Sequence, residues 1–170
     1  MNHIVVHLSN FYQSQISSMA HNVVSYSIII ENTAGLLMNS NEFSRVRRAL
    51  GKTQSELARL LCVSVKAIQS FEQGWRKVPV SNERQLLFIL ALKTSSNGDS
   101  RLCWEIRNCP PERKGRCPTW EFKAGKFCWF INGTLCHGET QRSWGHKIEL
   151  CRQCEVFQVI FPSIVAGDTK

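Results

Sequence analysis

The sequence predicts a mainly α-helical N-terminal half followed by a small, loop-rich, cysteine-rich C-terminal module. Two observations carry this prediction. Between residues 41 and 93, apolar residues recur at helical spacing in short segments that are separated by turn residues. Between residues 101 and 158 the chain is rich in Pro, Gly, Trp and Cys and shows little periodicity, which is typical of a small module that needs cross-links or metal to hold its shape.

The composition of the 170-residue chain predicts five segments. Residues 1–37 contain no Lys or Arg and are expected to be a poorly defined extension, so we take Met38 as a hypothetical translation start. Residues 38–93 form the patterned helical domain, and residues 94–100, "TSSNGDS", have the composition of a linker. The cysteine-rich module covers residues 101–158, and residues 159–170 are expected to be a tail.

The first predicted helix has an apolar stripe, and the second has a clear start. The stripe consists of Phe43, Val46, Ala49 and Leu50. Thr53 and Glu56 stand at capping-box spacing, which predicts a helix from Gln54 to Leu61. Its buried face would carry Leu57, Ala58 and Leu61.

The third and fourth helices follow from further cap residues. Ser64 is a suitable N-cap for a helix that Gly74 terminates. Its inward residues would be Ala67, Ile68 and Phe71, and its outward residues would be Lys66, Gln69, Ser70 and Gln73. Ser81 or Asn82 would cap a fourth helix, whose apolar residues are Leu86, Leu87, Ile89 and Leu90.

Charge and helix arrangement favour DNA binding without proving it. Residues 38–93 carry ten Lys and Arg against four acidic residues, and residues 101–170 carry eleven against seven, so both regions attract polyanions. Two helices of about eight residues joined by a short turn form a helix-turn-helix unit, whose second helix fits the major groove. The pattern alone is equally compatible with a helical bundle whose polar face is solvated.

The segment "FSRVRRALGKTQSELARLLCVSVKAIQSFEQGWRKVP" resembles the Cro and phage-repressor type of helix-turn-helix, the XRE family. The resemblance implies a lambda-repressor-like helical bundle that binds double-stranded DNA as a homodimer. It also implies that Val65, Lys66, Gln69 and Ser70 face base edges. Gln54, Ser64, Arg76 and Lys77 would contact the phosphate backbone, and Gln54 would also clamp the recognition helix. Part of the segment is similar to the DNA-binding halves of some antitoxins.

Seven cysteines are clustered in the second half of the chain. They are Cys103, Cys109, Cys117, Cys128, Cys136, Cys151 and Cys154. Only "CRQC" has the C-x2-C spacing of a metal knuckle, so the residues leave zinc, an iron–sulfur cluster, redox thiols and disulfides open. His137 and His146 are further candidate zinc ligands, although such histidines are more often surface residues.

The order Cys-Trp, Cys, Cys-Pro, Cys-Trp, "GTLCHG" and Cys-x2-Cys resembles the two-CW domain, a bacterial cysteine-rich module. The resemblance implies that the seven cysteines act as one set of metal or cluster ligands, and it leaves the cofactor unknown. Cys62 lies in the turn of the helix-turn-helix unit, where the XRE family usually has glycine. We therefore expect either a left-handed residue with mild strain or a slightly altered turn at Cys62, with a mostly buried thiol outside the metal set.

These features predict a cytoplasmic, non-enzymatic transcription regulator whose cysteine cluster senses redox state or metal supply. No apolar run reaches the roughly 18 residues of a membrane-spanning helix, so no membrane partner is expected. An antitoxin is the alternative, in which the cysteine module is a structural or protein-binding platform.

Overall fold

The structure is a computed structural model that describes residues 38–95 and 101–165, so the predicted extension over residues 1–37 lies outside it. The first half contains α1 (Ser40–Ala49), α2 (Gln54–Leu60), α3 (Val65–Glu72) and α4 (Val80–Ser95). The second half contains α5 (Cys103–Ile106), α6 (Pro111–Lys114), α7 (Pro118–Glu121), α8 (Trp144–Arg152), α9 (Glu155–Ile160) and α10 (Pro162–Val165). Short 3₁₀ turns cover Gly125–Phe127 and Cys136–Gly138, and the described residues contain no strand.

The predicted starts of α2 and α3 are confirmed by their cap hydrogen bonds. The Glu56 carboxylate accepts the Thr53 N–H at 2.8 Å, and the Thr53 hydroxyl accepts the Glu56 N–H at 3.2 Å. The Ser64 hydroxyl accepts the Ala67 N–H at 3.1 Å. Gly74 follows α3 with φ +74°, the left-handed conformation that terminates helices. The helix-turn-helix geometry therefore arises from local sequence.

Helix α4 begins earlier and ends later than predicted. Ser81 and Asn82 lie inside its first turn, because the Pro79 carbonyl accepts the Glu83 N–H at 2.9 Å and starts the helix at Val80. At the other end the Thr94 hydroxyl donates to the Leu90 and Ala91 carbonyls. Such bonding back to the preceding turn lets polar residues stay helical, so α4 occupies the first two positions of the predicted linker.

The first half has a compact apolar core. Its fully buried side chains include Phe43, Val46, Leu57, Ile68, Leu86 and Leu87. Phe43 of α1 contacts Phe71 of α3 edge to face, with ring centroids 5.6 Å apart. Ala49 was expected on the inward stripe but is exposed, since α1 turns that position towards solvent.

The second half is organised around Trp129, which is 1% exposed. Its indole packs edge to face against Phe161 at 5.0 Å and Phe157 at 6.4 Å. Phe161 and Ile164 are buried, and α10 packs on α1 of the first half. The tail expected from residue 159 is therefore an integral packing element as far as residue 165, because its apolar side chains cover α1.

The two halves share one interface and belong to one compact unit. Arg152 of α8 forms a two-pronged ion pair with Glu42 of α1, at 2.7 and 3.0 Å. Arg84 of α4 donates to the Phe130 carbonyl at 3.1 Å and lies over the Phe130 and Trp144 rings. No described helix has the length and apolar character needed to cross a bilayer.

Glu83 lies in this interface with a fully buried carboxyl group. Within the described residues, neither of its carboxyl oxygens accepts a hydrogen bond of good geometry. Burial raises the pKa of Glu83 to about 7, although Arg152, the Met38 N–H and the Trp144 indole favour its charged form. Glu42, which faces the same group, favours protonation by repulsion.

Cys62 has φ +52°, so the left-handed conformation is the one of the two expected alternatives that the turn adopts. The predicted burial is wrong, because the thiol is exposed. Its Sγ lies 3.9 Å from the Arg59 carbonyl oxygen, which is a weak contact at the protein surface. A left-handed backbone turns the side chain away from the core, although Leu61 beside it is buried.

We predict that Glu83→Gln flattens the pH dependence of stability. The folded-state pKa of about 7 exceeds the unfolded value of 4.5, so protonated Glu83 stabilises the native state at low pH. That contribution is lost as the pH rises from 4.5 through about 7. Urea unfolding at several pH values measures this slope. An unchanged slope in Glu83→Gln would show that Glu83 titrates normally.

We predict that Cys62→Gly is more stable than Cys62→Ala by about 1 kcal/mol, because only glycine adopts positive φ without steric cost. Both variants remove the thiol, so their difference isolates the backbone effect. Chemical denaturation of the two proteins measures it. Equal stability would mean that the turn carries no strain at this position.

Candidate functional site

The exposed face of α3 carries most of the residues that were expected to read bases. Val65, Lys66 and Gln69 are exposed, and Val65 keeps 39% of its surface accessible. Ser70 is half-buried, and its hydroxyl donates to the Lys66 carbonyl at 2.9 Å. Ser70 thus has its proton engaged within the helix, whereas the other three side chains face solvent.

Gln54 connects α2 to α3, as expected of a residue that clamps the recognition helix. Its amide nitrogen donates to Glu72 at 2.6 Å, and its amide oxygen accepts from Gln69 at 3.5 Å. Arg47 of α1 donates to the same Glu72 carboxylate at 2.6 and 3.3 Å. One carboxylate therefore joins the first three helices.

The charge of Glu72 is maintained by these donors. Burial acts to raise its pKa, but the hydrogen bonds from Arg47 and Gln54 outweigh burial and leave the pKa below the ordinary value. Arg47 and Glu72 were not among the residues predicted from the sequence. Their separation of 25 positions gives no local signal, and only the packing of α1 on α3 brings them together.

The loop after α3 presents exposed basic residues. Arg76 and Lys77 are both exposed, as phosphate contacts need to be. The Arg76 N–H donates to the Ser70 carbonyl at 3.2 Å, which ties the loop to the end of α3. Trp75, which the sequence analysis did not single out, keeps 77% of its surface accessible.

The seven clustered cysteines surround two adjoining pockets. The first, of about 600 Å³ including its open mouth, is lined by Cys103, Cys109, Cys117, Cys128, Cys136 and Cys154. Cys151 lines the second pocket, together with Cys128, Cys136 and Cys154. The fold thus brings together thiols that are up to 51 positions apart in sequence, from Cys103 to Cys154. Cys62 lines neither pocket.

All eight cysteines are free thiols. In the described part of the chain, no three His, Cys, Asp or Glu side chains converge closely enough to hold one metal ion. A hydrogen bond between Cys103 and Cys128 lowers the pKa of Cys103 and raises that of Cys128. Burial raises the pKa of Cys151 to about 12. The pKa values of Cys109 and Cys136 are also raised by burial, so these two thiols, Cys128 and Cys151 favour the protonated form.

Basic residues accompany the thiols. Lys147 of α8 lines the second pocket, and Arg107, Arg113 and Lys114 line the first. Lys147 is only 2% exposed, and its ammonium donates to the Thr134 hydroxyl at 2.6 Å. The pockets consequently combine a mostly apolar lining with positively charged side chains.

The aromatic residues of the module divide into two groups. Trp104 and Trp120 line the first pocket, with ring centroids 4.9 Å apart, and Lys114 and Lys123 each lie 4.4 Å from the Trp120 ring. The others, Phe127, Trp129, Phe130 and Trp144, belong to the hydrophobic core. His146 is exposed and lines neither pocket, and the side chain of His137 lies outside the described part of the chain.

Residues 44–84 match the helix-turn-helix family. This region runs from the middle of α1 to the first turn of α4, so it includes the Gln54–Glu72 clamp and the exposed face of α3. The family consists of DNA-binding regulators that are generally not enzymes, and the match does not favour the antitoxin alternative. No curated protein and no solved structure matches the chain.

Proposed function

We propose that this chain is a sequence-specific transcription regulator that binds double-stranded DNA as a homodimer and senses metal supply or redox state through a metal or cluster bound by its seven clustered cysteines. The observation that carries the DNA-binding part is the exposed polar face of α3 within a region that matches the helix-turn-helix family. The observation that supports the sensing part is the convergence of the cysteines on two pockets.

In this proposal two groups of residues divide the work on DNA. Val65, Lys66, Gln69 and Ser70 approach base edges in the major groove and supply specificity. Gln54, Ser64, Arg76 and Lys77 contact phosphates and set the position of the protein on the duplex. One small reading helix covers few base pairs, so two copies about 34 Å apart on the DNA are expected to read paired half-sites.

A chain of ion pairs supports communication between the cysteines and α3. Arg152 lies between Cys151 and Cys154 in "CRQC", and its guanidinium pairs with Glu42 near the start of α1. Arg47, further along α1, pairs with Glu72 of α3. A change in the position of "CRQC" on metal loss or thiol oxidation would therefore pull on α1, which holds the recognition helix.

Communication of this kind means that the free energy of DNA binding differs between two states of the cysteine cluster. Couplings of about 1–3 kcal/mol, equivalent to roughly 5- to 150-fold in affinity, are typical of such regulation. A half-buried, two-pronged arginine–carboxylate pair is stiff enough to transmit displacement, because its geometry is set in two bonds. The antitoxin reading has no comparable observation in its favour.

We predict different effects from replacing the two kinds of DNA contact. Gln69→Ala loses about 1–3 kcal/mol of discrimination between matched and altered sites, because a base-edge contact is removed. Lys77→Ala weakens binding to every sequence and lowers the slope of log affinity against log salt by about 1. Binding isotherms on selected and scrambled duplexes at two salt concentrations measure both effects.

The control for this pair is Arg116→Ala, which removes an exposed charge from the cysteine module. Its specificity and salt slope should equal those of the wild type. If Gln69→Ala and Lys77→Ala behave alike, the division into base and phosphate contacts is incorrect. If neither weakens binding, α3 is not the reading helix.

We predict that the double variant Glu42→Gln/Arg152→Met uncouples DNA affinity from the state of the cysteines. Removing both partners leaves neither Glu42 nor Arg152 as an unpaired charge, so the fold is retained. In the wild type, chelation of bound metal should change operator affinity at least about fivefold, and in the double variant the two affinities should converge. Fluorescence anisotropy with labelled operator, before and after chelation, measures the ratio of the two affinities.

The matched control is Arg142→Met, which removes an exposed arginine from the same module. It should keep the wild-type ratio of operator affinities before and after chelation. If the double variant keeps the same affinity ratio, the state of the cysteines does not act on DNA affinity through the Arg152–Glu42 pair.

A further inference from the structure

Trp75 is the most exposed large apolar side chain in the part of the chain that the structure describes. It keeps 77% of its surface accessible and stands three residues after the end of α3. Single exposed apolar residues are common on protein surfaces, so the surroundings of Trp75 decide whether it has a role. Large aromatic rings with one polar group are enriched where proteins contact a partner, because they combine apolar area with a hydrogen-bond donor.

The backbone beside Trp75 is fixed to the recognition helix. Gly74 ends α3 with φ +74°, and the Arg76 N–H then donates to the Ser70 carbonyl at 3.2 Å. This bond holds the loop beside the last turn of α3. Ser70 lies four residues after Lys66, so the two share the outward face of the helix. The loop therefore presents Trp75 next to the face that is proposed to read DNA.

The charges around Trp75 suit a polyanion. Arg76 and Lys77 follow it directly, and both are exposed. No acidic residue occurs at positions 73–82. The carboxylate of Glu72, just before this stretch, is already bound by donors from α1 and α2. An apolar ring within a positive surface favours a nucleic acid over a second copy of this chain, whose net charge is +8.

We infer that Trp75 contacts the sugar–phosphate backbone of double-stranded DNA and adds affinity that depends neither on salt nor on base sequence. This inference rests on the proposed DNA binding and adds an anchor that is not electrostatic, beside the phosphate contacts of Arg76 and Lys77. The apolar face of the indole fits against the C–H groups of deoxyribose, and its N–H can donate to a phosphate oxygen. Because the adjoining backbone is already fixed, little conformational freedom is lost on binding.

Trp75→Ala tests the anchor in the full chain. Its affinity for the selected duplex should fall about tenfold, because the apolar contact area of the ring is lost. The slope of log affinity against log salt should equal that of the wild type, since no charge is removed. Affinity for a scrambled duplex should fall equally, since sugars and phosphates carry no direct sequence information. Binding isotherms on both duplexes at two salt concentrations measure these quantities.

Phe122→Ala is the matched control. Phe122 is an aromatic residue that is 66% exposed and precedes a lysine, but it belongs to the cysteine-rich module. This variant should bind both duplexes as the wild type does. Trp75→Phe should lose less affinity than Trp75→Ala, because phenylalanine keeps an apolar ring at this position. Urea unfolding should give the same midpoint for Trp75→Ala as for the wild type, since the side chain is exposed.

Four results would overturn the inference. Unchanged DNA affinity of Trp75→Ala would show that the ring does not contact DNA. A reduced salt slope would show that Trp75 only positions Arg76 and Lys77, and a changed preference between the duplexes would show a base contact. Loss of self-association in the absence of DNA, measured by sedimentation, would assign the ring to a contact between two copies. If the wild type binds neither duplex, the proposed DNA binding fails as well.

Discussion

The ion pair between Glu42 and Arg152 is the contact on which the arrangement of the described residues depends. It joins the first helix of the DNA-binding half to the last long helix of the cysteine-rich half, with two charge-assisted bonds at 2.7 and 3.0 Å. Its carboxylate is buried, with the Glu42 side chain 4% exposed, whereas the Arg152 side chain keeps 29% of its surface accessible. A module too small to build a large core gains stability by packing on its neighbour.

Buried ionisable side chains are a second feature of the structure, and they have two kinds of surroundings. Glu72 is satisfied by Arg47 and Gln54, so it stays ionised and holds three helices together. Glu83 and Lys147 are buried without opposite charges at hydrogen-bond distance among the described residues. Such groups destabilise a fold and are retained where they serve another purpose. Lys147 lines the second pocket together with Cys128, Cys136, Cys151 and Cys154.

Much of the DNA-binding half follows from local sequence. The Thr53–Glu56 capping box and the Ser64 cap were predicted, and the left-handed Cys62 was one of two expected alternatives, because each depends on residues within one turn of the chain. The predictions that failed depended on distant contacts. Cys62 is exposed, α4 extends into the expected linker, and the expected tail packs on α1. The surface that an apolar residue such as Phe161 covers depends on where distant segments of the chain lie.

The sequence by itself determined which residues could carry chemistry: an amphipathic reading helix with polar outward residues, and seven cysteines set apart from the eighth. Only the tertiary structure decided how they are used. It grouped the thiols around two shared pockets, buried Lys147 beside them and joined Arg152 to Glu42 across 110 positions. The reason is physical, because helix periodicity and caps are short-range, whereas pocket formation and charge pairing depend on which surfaces bury each other.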